Sequence, residues 1–182
     1  MIRLAKREDV PRMLEIYAPY VERTAVSFEY VPPTLEVFTG RFERITDRYP
    51  WIVWEVDGRV LGYAYADLAF ERRAYQWDAD LSIYLDWDVR RGGIGTKLYD
   101  CLEAVMRRAG YYNLYAVVTG ENAPSCHFHE RRGYELQGVL KNSGCKFGRW
   151  YDVLWYVLAL RTPSVSPEPP LPFAPSMLDG LI

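Results

Sequence analysis

The sequence predicts one α/β domain followed by a proline-rich tail, and three observations carry that reading. Runs with strand-like composition alternate with segments whose apolar residues recur every three or four positions, so strands and helices interleave. Within residues 51–68, two β-rich runs flank Asp57-Gly58, a pair suited to a tight hairpin turn. A glycine-rich turn at Gly92, Gly93 and Gly95 joins a strand to an amphipathic helix. The chain has 182 residues, 49% apolar and 25% charged, which is enough to bury one core in a soluble domain.

In chain order, "IRLA" is a short first strand. Asp9 reads as an N-cap with Pro11 in the first turn; Val10, Met13, Leu14 and Tyr17 give the helical stripe, and Pro19 limits its length. Thr34 caps a second helix with the stripe Leu35, Phe38, Phe42 and Ile45. The hairpin 51–68 follows, then the strand 81–85. Ile94, Leu98, Leu102, Val105 and Met106 mark a helix that Gly110 ends. "YYNLYAVVT" is a strand, and Asn122 caps a short helix reaching about Arg132, with Gly133 beyond it. "YELQGVL" and "RWYDVLWYVLAL" are closing strands. This sets a domain over residues 1–161. Residues 162–182 hold six of the twelve prolines and no Lys or Arg, so they read as an extended or disordered tail whose "PLPF" and "MLDGLI" can still dock on a surface.

Composition excludes several partners. A net charge of −2 makes no electrostatic case for nucleic acid. No apolar run approaches membrane-spanning length, and the first residues do not read as a signal peptide, so a cytoplasmic location is expected. Cys101, Cys126 and Cys145 form no metal or redox spacing and read as reduced thiols. His127 and His129 point apart on a helix, so no metal site is expected.

The turn "DVRRGGIGTKL" carries the first chemical signal. A helix N-terminus leaves amide N–H groups without partners, and glycine lets a bulky anion approach the backbone. Arg90 and Arg91 add charge at the same mouth. A diphosphate suits the geometry. Gly-Lys-Ser/Thr is missing, which excludes a phosphate-binding P-loop, and Leu98 stands where a dinucleotide fingerprint needs its third glycine. Alone, the turn is also compatible with no ligand.

The spacing Arg90-x-x-Gly93-x-Gly95 resembles the acyl-CoA pyrophosphate loop of the GNAT superfamily of N-acetyltransferases. The second half of that pattern follows at Asn122, Ser125, Phe128, His129, Gly133 and Tyr134, with His129 where many members carry tyrosine. "TAVSFEYVPPT", "RRAYQWDADLSIYL", "HERRGY" and "GCKFGRWYDV" further resemble the phosphinothricin and methionine sulfoximine acetyltransferase branch, over roughly residues 2–160. The resemblance implies a mixed, mostly antiparallel central sheet with a splayed strand pair, flanked by about four helices, with acetyl-CoA between strands 81–85 and 114–118. It implies a homodimer, no metal, and a small amine or amino acid as acceptor.

Residue by residue, the amides and side chains of Arg90, Arg91, Gly92, Gly93, Ile94, Gly95 and Thr96 are expected to hold the pyrophosphate. The backbone of Ile83, Tyr84 and Leu85 is expected to meet the pantetheine amides, with Asn122 and Ser125 lining the same arm. Asp80, where close relatives carry glutamate, is the candidate base, directly or through water. His129 is the second catalytic candidate, as a base with Asp80 or as a donor to the leaving thiolate. Arg72 and Tyr75 are expected to hold the acidic end of the acceptor, and Phe28 to pack on its short chain. Phe70 stands where relatives often carry a cation, which favours a less anionic amino acid. Cys126 has no positioned base, so a covalent thiol route is not expected. Two readings compete with small-molecule N-acetylation: a protein or peptide N-acetyltransferase, and an acyl-CoA-binding module without catalysis.

Overall fold

A computed structural model of the protein describes residues 1–89 and 92–182; Arg90 and Arg91 lie outside the described residues. Among the described residues the strands are β1 (Ile2–Leu4), β2 (Trp51–Val56), β3 (Arg59–Leu68), β4 (Asp78–Leu85), β5 (Asn113–Thr119), β6 (Glu135–Lys146) and β7 (Arg149–Ala159). They form one sheet in the order β1-β2-β3-β4-β5-β7-β6. Every neighbouring pair is antiparallel except β4 and β5, which run parallel. The helices are α1 (Val10–Arg23), α2 (Leu35–Thr46), α3 (Ile94–Ala109) and α4 (Ala123–Arg131).

The helices divide between the two faces of the sheet. Tyr63, Tyr65 and Tyr84 share one face, because alternate residues of a strand point the same way and these are register partners or two apart. There the rings of Tyr17 from α1 and Phe38 from α2 meet Tyr84 and Trp51. Ile83 and Leu85 point to the opposite face, against Gly95 at the start of α3 and near Phe128 of α4. Met13, Val21, Ile52, Leu98, Leu102 and Val105 are fully buried, so the apolar stripes expected for these helices form the core.

The hairpin turn is as expected: Asp57 and Gly58 take φ of 50° and 75°, which a tight primed turn requires. Three details differ from the reading of the sequence. The Asp9 carboxylate accepts from Arg3 and from the Lys6 amide at 2.7 Å and caps a preceding 3₁₀ turn rather than α1. Pro19 does not stop α1, which continues to Arg23; Val21 is fully buried beyond it, and that packing outweighs one missing amide donor. Leu35 is exposed, because the first turn of α2 projects past the core.

The tail runs extended over the body. Leu171 N donates to Ala109 O at 2.8 Å, Phe173 N to Arg48 O at 2.9 Å, and Trp77 Nε1 to Glu168 O at 2.9 Å. Leu178, in a short 3₁₀ turn, is buried in the core cluster, and Phe173, Met177 and Leu181 pack around it. Burial of these four side chains offsets the chain entropy that the composition alone would favour.

Candidate active site

The site begins where β4 and β5 part. They pair only over Asp78–Asp80 and Asn113–Tyr115, and Asn113 Nδ2 donates to Asp78 Oδ1 at 2.8 Å at the foot of the pair. Beyond Asp80 each strand keeps only its outer partner, β3 for β4 and β7 for β5. The opening is a narrow cleft of about 80 Å³ whose lining includes Ser82, Ile83, Tyr84, Tyr99, Asn122 and His129. Its inner edges present backbone amides and carbonyls without a strand partner, which suits an extended ligand that carries amide groups. The Leu85 carbonyl is already engaged by the Tyr20 hydroxyl at 2.7 Å.

Asp80 sits at the fork. Its Oδ1 is buried and has no hydrogen-bond partner among the described residues. Burial, and then the charge of Asp67, push its carboxyl up from 3.8 to about 7. Asp67 is its register partner on β3, and Arg44 holds Asp67 through two bonds of 3.0 and 2.8 Å. Asp80 thus changes charge near neutrality, as a base for an amine needs.

His129 lies on α4 in a cage of aromatic rings formed by Tyr99, Phe128, Tyr134 and Tyr156. Its Nδ1 lies 2.8 Å from the Ser125 carbonyl, which fixes the proton there. Its Nε2 is then the acceptor for the Tyr99 hydroxyl at 3.1 Å. Burial lowers its pKa, so the ring is neutral at pH 7. His129 and Asp80 are not bonded to each other; the Asp80 charge instead acts on the Tyr99 phenol, whose ionisation burial already opposes. Asn122 caps α4, accepting from the Ser125 amide at 3.3 Å, and lines the cleft as well. His127 faces outward, with Nδ1 2.8 Å from the Ala123 carbonyl.

At the other end of the cleft stands the glycine-rich turn. Gly92 and Gly93 take φ of 103° and 72°, and a side-chain carbon at either position would meet no atom within 4 Å. Open space beside a left-handed backbone leaves room for a bulky group. No side chain caps α3, so the amides of Ile94, Gly95 and Thr96 lack intrahelical acceptors. Arg132 ties α4 to this helix through Asp100 and Glu103, at 2.8 and 2.7 Å. A diphosphate followed by an amide-bearing arm fits this turn and cleft.

The residues expected to hold the acceptor fall into two places. Arg72 and Tyr75 line an open depression of about 640 Å³ together with Arg44, Asp67 and Phe70. Phe70 supports Tyr75 at 4.9 Å between ring centres and stacks on Trp155 at 5.8 Å. Phe28 does not line this depression. Its ring covers Gly144, where a side-chain carbon would come within 2.3 Å of it, and leans on Tyr151.

With this geometry in place, comparison with known proteins is decisive. The acetyltransferase (GNAT) domain family matches residues 2–155. The chain belongs to the GNAT family. It is 36% identical to phosphinothricin N-acetyltransferase of Streptomyces viridochromogenes, over 96% of this chain and 93% of that one. It is 34% identical to an L-methionine sulfoximine/L-methionine sulfone acetyltransferase of Pseudomonas paraeruginosa, over 87% and 94% of the two chains. Among solved structures, a GNAT superfamily phosphinothricin acetyltransferase from Sinorhizobium meliloti, in complex with acetyl-CoA, superposes with a TM-score of 0.86 at 33% identity. That match covers 93% of this chain and 95% of the other.

Within this GNAT domain, reading the sequence missed Tyr99, Asp67 and Arg44. Tyr99 follows Leu98 in the core stripe of α3 and gives no polar signal of its own. Asp67 and Arg44 are far from Asp80 in sequence, and only the β3–β4 register and the packing of α2 bring them together. No cluster of three or more His, Cys, Asp or Glu among the described residues could hold a metal ion. No helix of the described chain is long and apolar enough to cross a membrane.

Proposed function

We propose that this protein is an acetyl-CoA-dependent N-acetyltransferase that acetylates the amino group of a small amino acid or analogue by direct transfer. The observation that carries the reading is the Asp80 carboxyl: buried, without a partner, titrating near 7, and set at the fork of the parted strands. The relatives' named activities on phosphinothricin and methionine sulfoximine support the acceptor class.

Acetyl-CoA supplies the activated acetyl group. Residues of the 90–96 turn hold its diphosphate, through the amides of Ile94, Gly95 and Thr96 and the charges of Arg90 and Arg91. The free edge of β4 at Ile83 and Tyr84 meets its amide-bearing arm, with Asn122 and Ser125 on the facing wall. Asp80, as the carboxylate, takes the proton from the attacking amine, directly or through one water. At the sulfur end the Tyr99 hydroxyl turns its one proton from His129 Nε2 to the departing thiolate, and His129 holds the phenol in place until then. Arg72 and Tyr75 anchor acceptor oxygens, and Phe28 closes the neighbouring loop.

The catalytic unit spans residues 1–161, with 162–182 as a strap across it. We place the protein in the cytoplasm, a reading its three free cysteines support. It pairs with a second copy through the exposed apolar side chains of the β6–β7 edge, Leu136, Val139, Leu140 and Trp150. A thiol-release assay with acetyl-CoA and a panel of amino acids, methionine sulfone, methionine sulfoximine and phosphinothricin tests the function. Turnover confined to compact amino acids supports it; turnover on peptides alone, or none, overturns it.

A further inference from the structure

The segment "GCKFGRWYDV" has no part in the proton chemistry above, yet its first three residues each meet the loop that follows α1. Lys146, the last residue of β6, is 1% exposed. Its ammonium donates to three backbone carbonyls: Val21 at 2.7 Å, Thr24 at 2.8 Å and Ser27 at 2.6 Å. Three N–H groups on three acceptors use the ammonium fully, and the acceptors are the end of α1 and the loop that follows it. A buried cation at a helix C-terminus also meets the negative end of the helix dipole.

The neighbours of Lys146 grip the same loop. The Tyr30 hydroxyl donates to Cys145 O at 2.7 Å. Gly144 is bare where the Phe28 ring lies, at a separation that no side chain would permit. From β5, the Thr119 hydroxyl donates to Ala25 O at 2.5 Å, and from α1 Tyr17 bonds Ser27 at 2.7 Å. Val26, at the centre of these ties, lines the cleft between β4 and β5. The loop lies on the sheet face that carries Asp80, since Tyr17 packs on Tyr84 and Asp80 and Tyr84 point to the same side.

We propose that Lys146 is a positioning residue: it clasps loop 24–30 over the open stretch of β5 and so builds the acceptor-side wall of the cleft. The inference rests on the acyltransfer reading only for its kinetic consequence. An unclasped loop leaves the diphosphate turn on the other face intact, so acceptor binding weakens while acetyl-CoA binding does not.

The test compares Lys146→Met with the natural chain, because methionine keeps length and loses all three donors. Hydrogen exchange by mass spectrometry should show peptides covering 24–30 exchanging about tenfold faster or more, with α3 and β4 unchanged. With the best acceptor from the panel, KM should rise about tenfold while the Kd of acetyl-CoA stays within about twofold. Unchanged exchange at 24–30 in the folded variant overturns the clasp whatever the activity. A matching loss of acetyl-CoA affinity overturns the assignment of the loop to the acceptor side. If Lys146→Met does not fold, Tyr30→Phe removes one tie at an exposed side chain and must speed exchange in the same segment, or the proposal fails.

Discussion

Asp67 lies directly across the β3–β4 ladder from Asp80, and Arg44 occupies Asp67 through both of its oxygens. Two carboxylates opposite each other on one face of an antiparallel pair repel. Burial of Asp80 supplies the larger part of its upward shift, and the charge of Asp67 adds to it. The Asp80 carboxyl is therefore tuned from a neighbouring strand as well as by its own surroundings.

The first prediction concerns pH. Asp80 accepts a proton only when ionised, so kcat/KM for the acceptor should rise with pH through about 7. Asp67→Asn removes the repelling charge and should move that rise to lower pH. Arg44→Gln leaves the charge unpaired and should move it higher. An unmoved pH profile in both variants would show that Asp80 does not limit the rate.

Stability gives an independent reading. The unfolded chain ionises Asp80 near the ordinary value of 3.8, whereas the folded chain keeps its proton up to about 7. The folded state thus binds the extra proton between these values, and stability falls as pH rises from one to the other. Asp80→Asn abolishes that fall. It should stabilise the protein at pH 8 by on the order of a few kcal/mol and have little effect near pH 4, as thermal unfolding at the two pH values would reveal. In the same variant turnover should drop by roughly a hundredfold or more.

Anchoring should depend on the bare glycine at the helix start. Gly93 holds φ of 72°, which a β-branched residue resists, and the space beside it is where a diphosphate would lie. Gly93→Val should weaken acetyl-CoA binding at least about tenfold by calorimetry, a loss of roughly 1.4 kcal/mol. Unchanged affinity in a folded variant would remove the turn from the binding site.

The proposed acceptor pocket makes a prediction about charge. Arg72 is exposed at the rim of the depression and Phe70 supplies an aromatic floor where a second cation would strengthen the hold on anions. Methionine sulfone and sulfoximine should therefore be used better than phosphinothricin. Arg72→Ala should raise KM for all three much more than it changes acetyl-CoA binding. Equal use of simple uncharged amines by both proteins would reject the pocket.

Direct transfer predicts no acetyl-enzyme. Cys126 is buried on α4, while Asn122, Ser125 and His129 of the same segment face the cleft. Intact-mass spectrometry after mixing with acetyl-CoA alone should detect no stoichiometric adduct. Tyr99→Phe should lower turnover about tenfold with acetyl-CoA affinity kept, since only the hydroxyl held by His129 is lost.

The sequence by itself determined the elements and the two halves of the cofactor motif. Stripes of apolar residues, Asp57-Gly58, Gly93 and Asn122 each act through their own few neighbours, so local pattern suffices to place them. It also marked Asp80, His129, Arg72 and Tyr75. Tertiary structure alone decided what those side chains meet. Asp9 turned from a helix cap to a partner of Arg3, and α1 ran through Pro19, because contacts from elsewhere in the chain outweighed local preference. His129 met Tyr99 across two helices, and Phe28 met Gly144 across more than a hundred residues. Titration near 7 at Asp80 and the grip of Lys146 on three carbonyls likewise depend on burial and on long-range register. Desolvation and hydrogen-bond direction are set by the whole fold, and a linear pattern of residue types does not contain them.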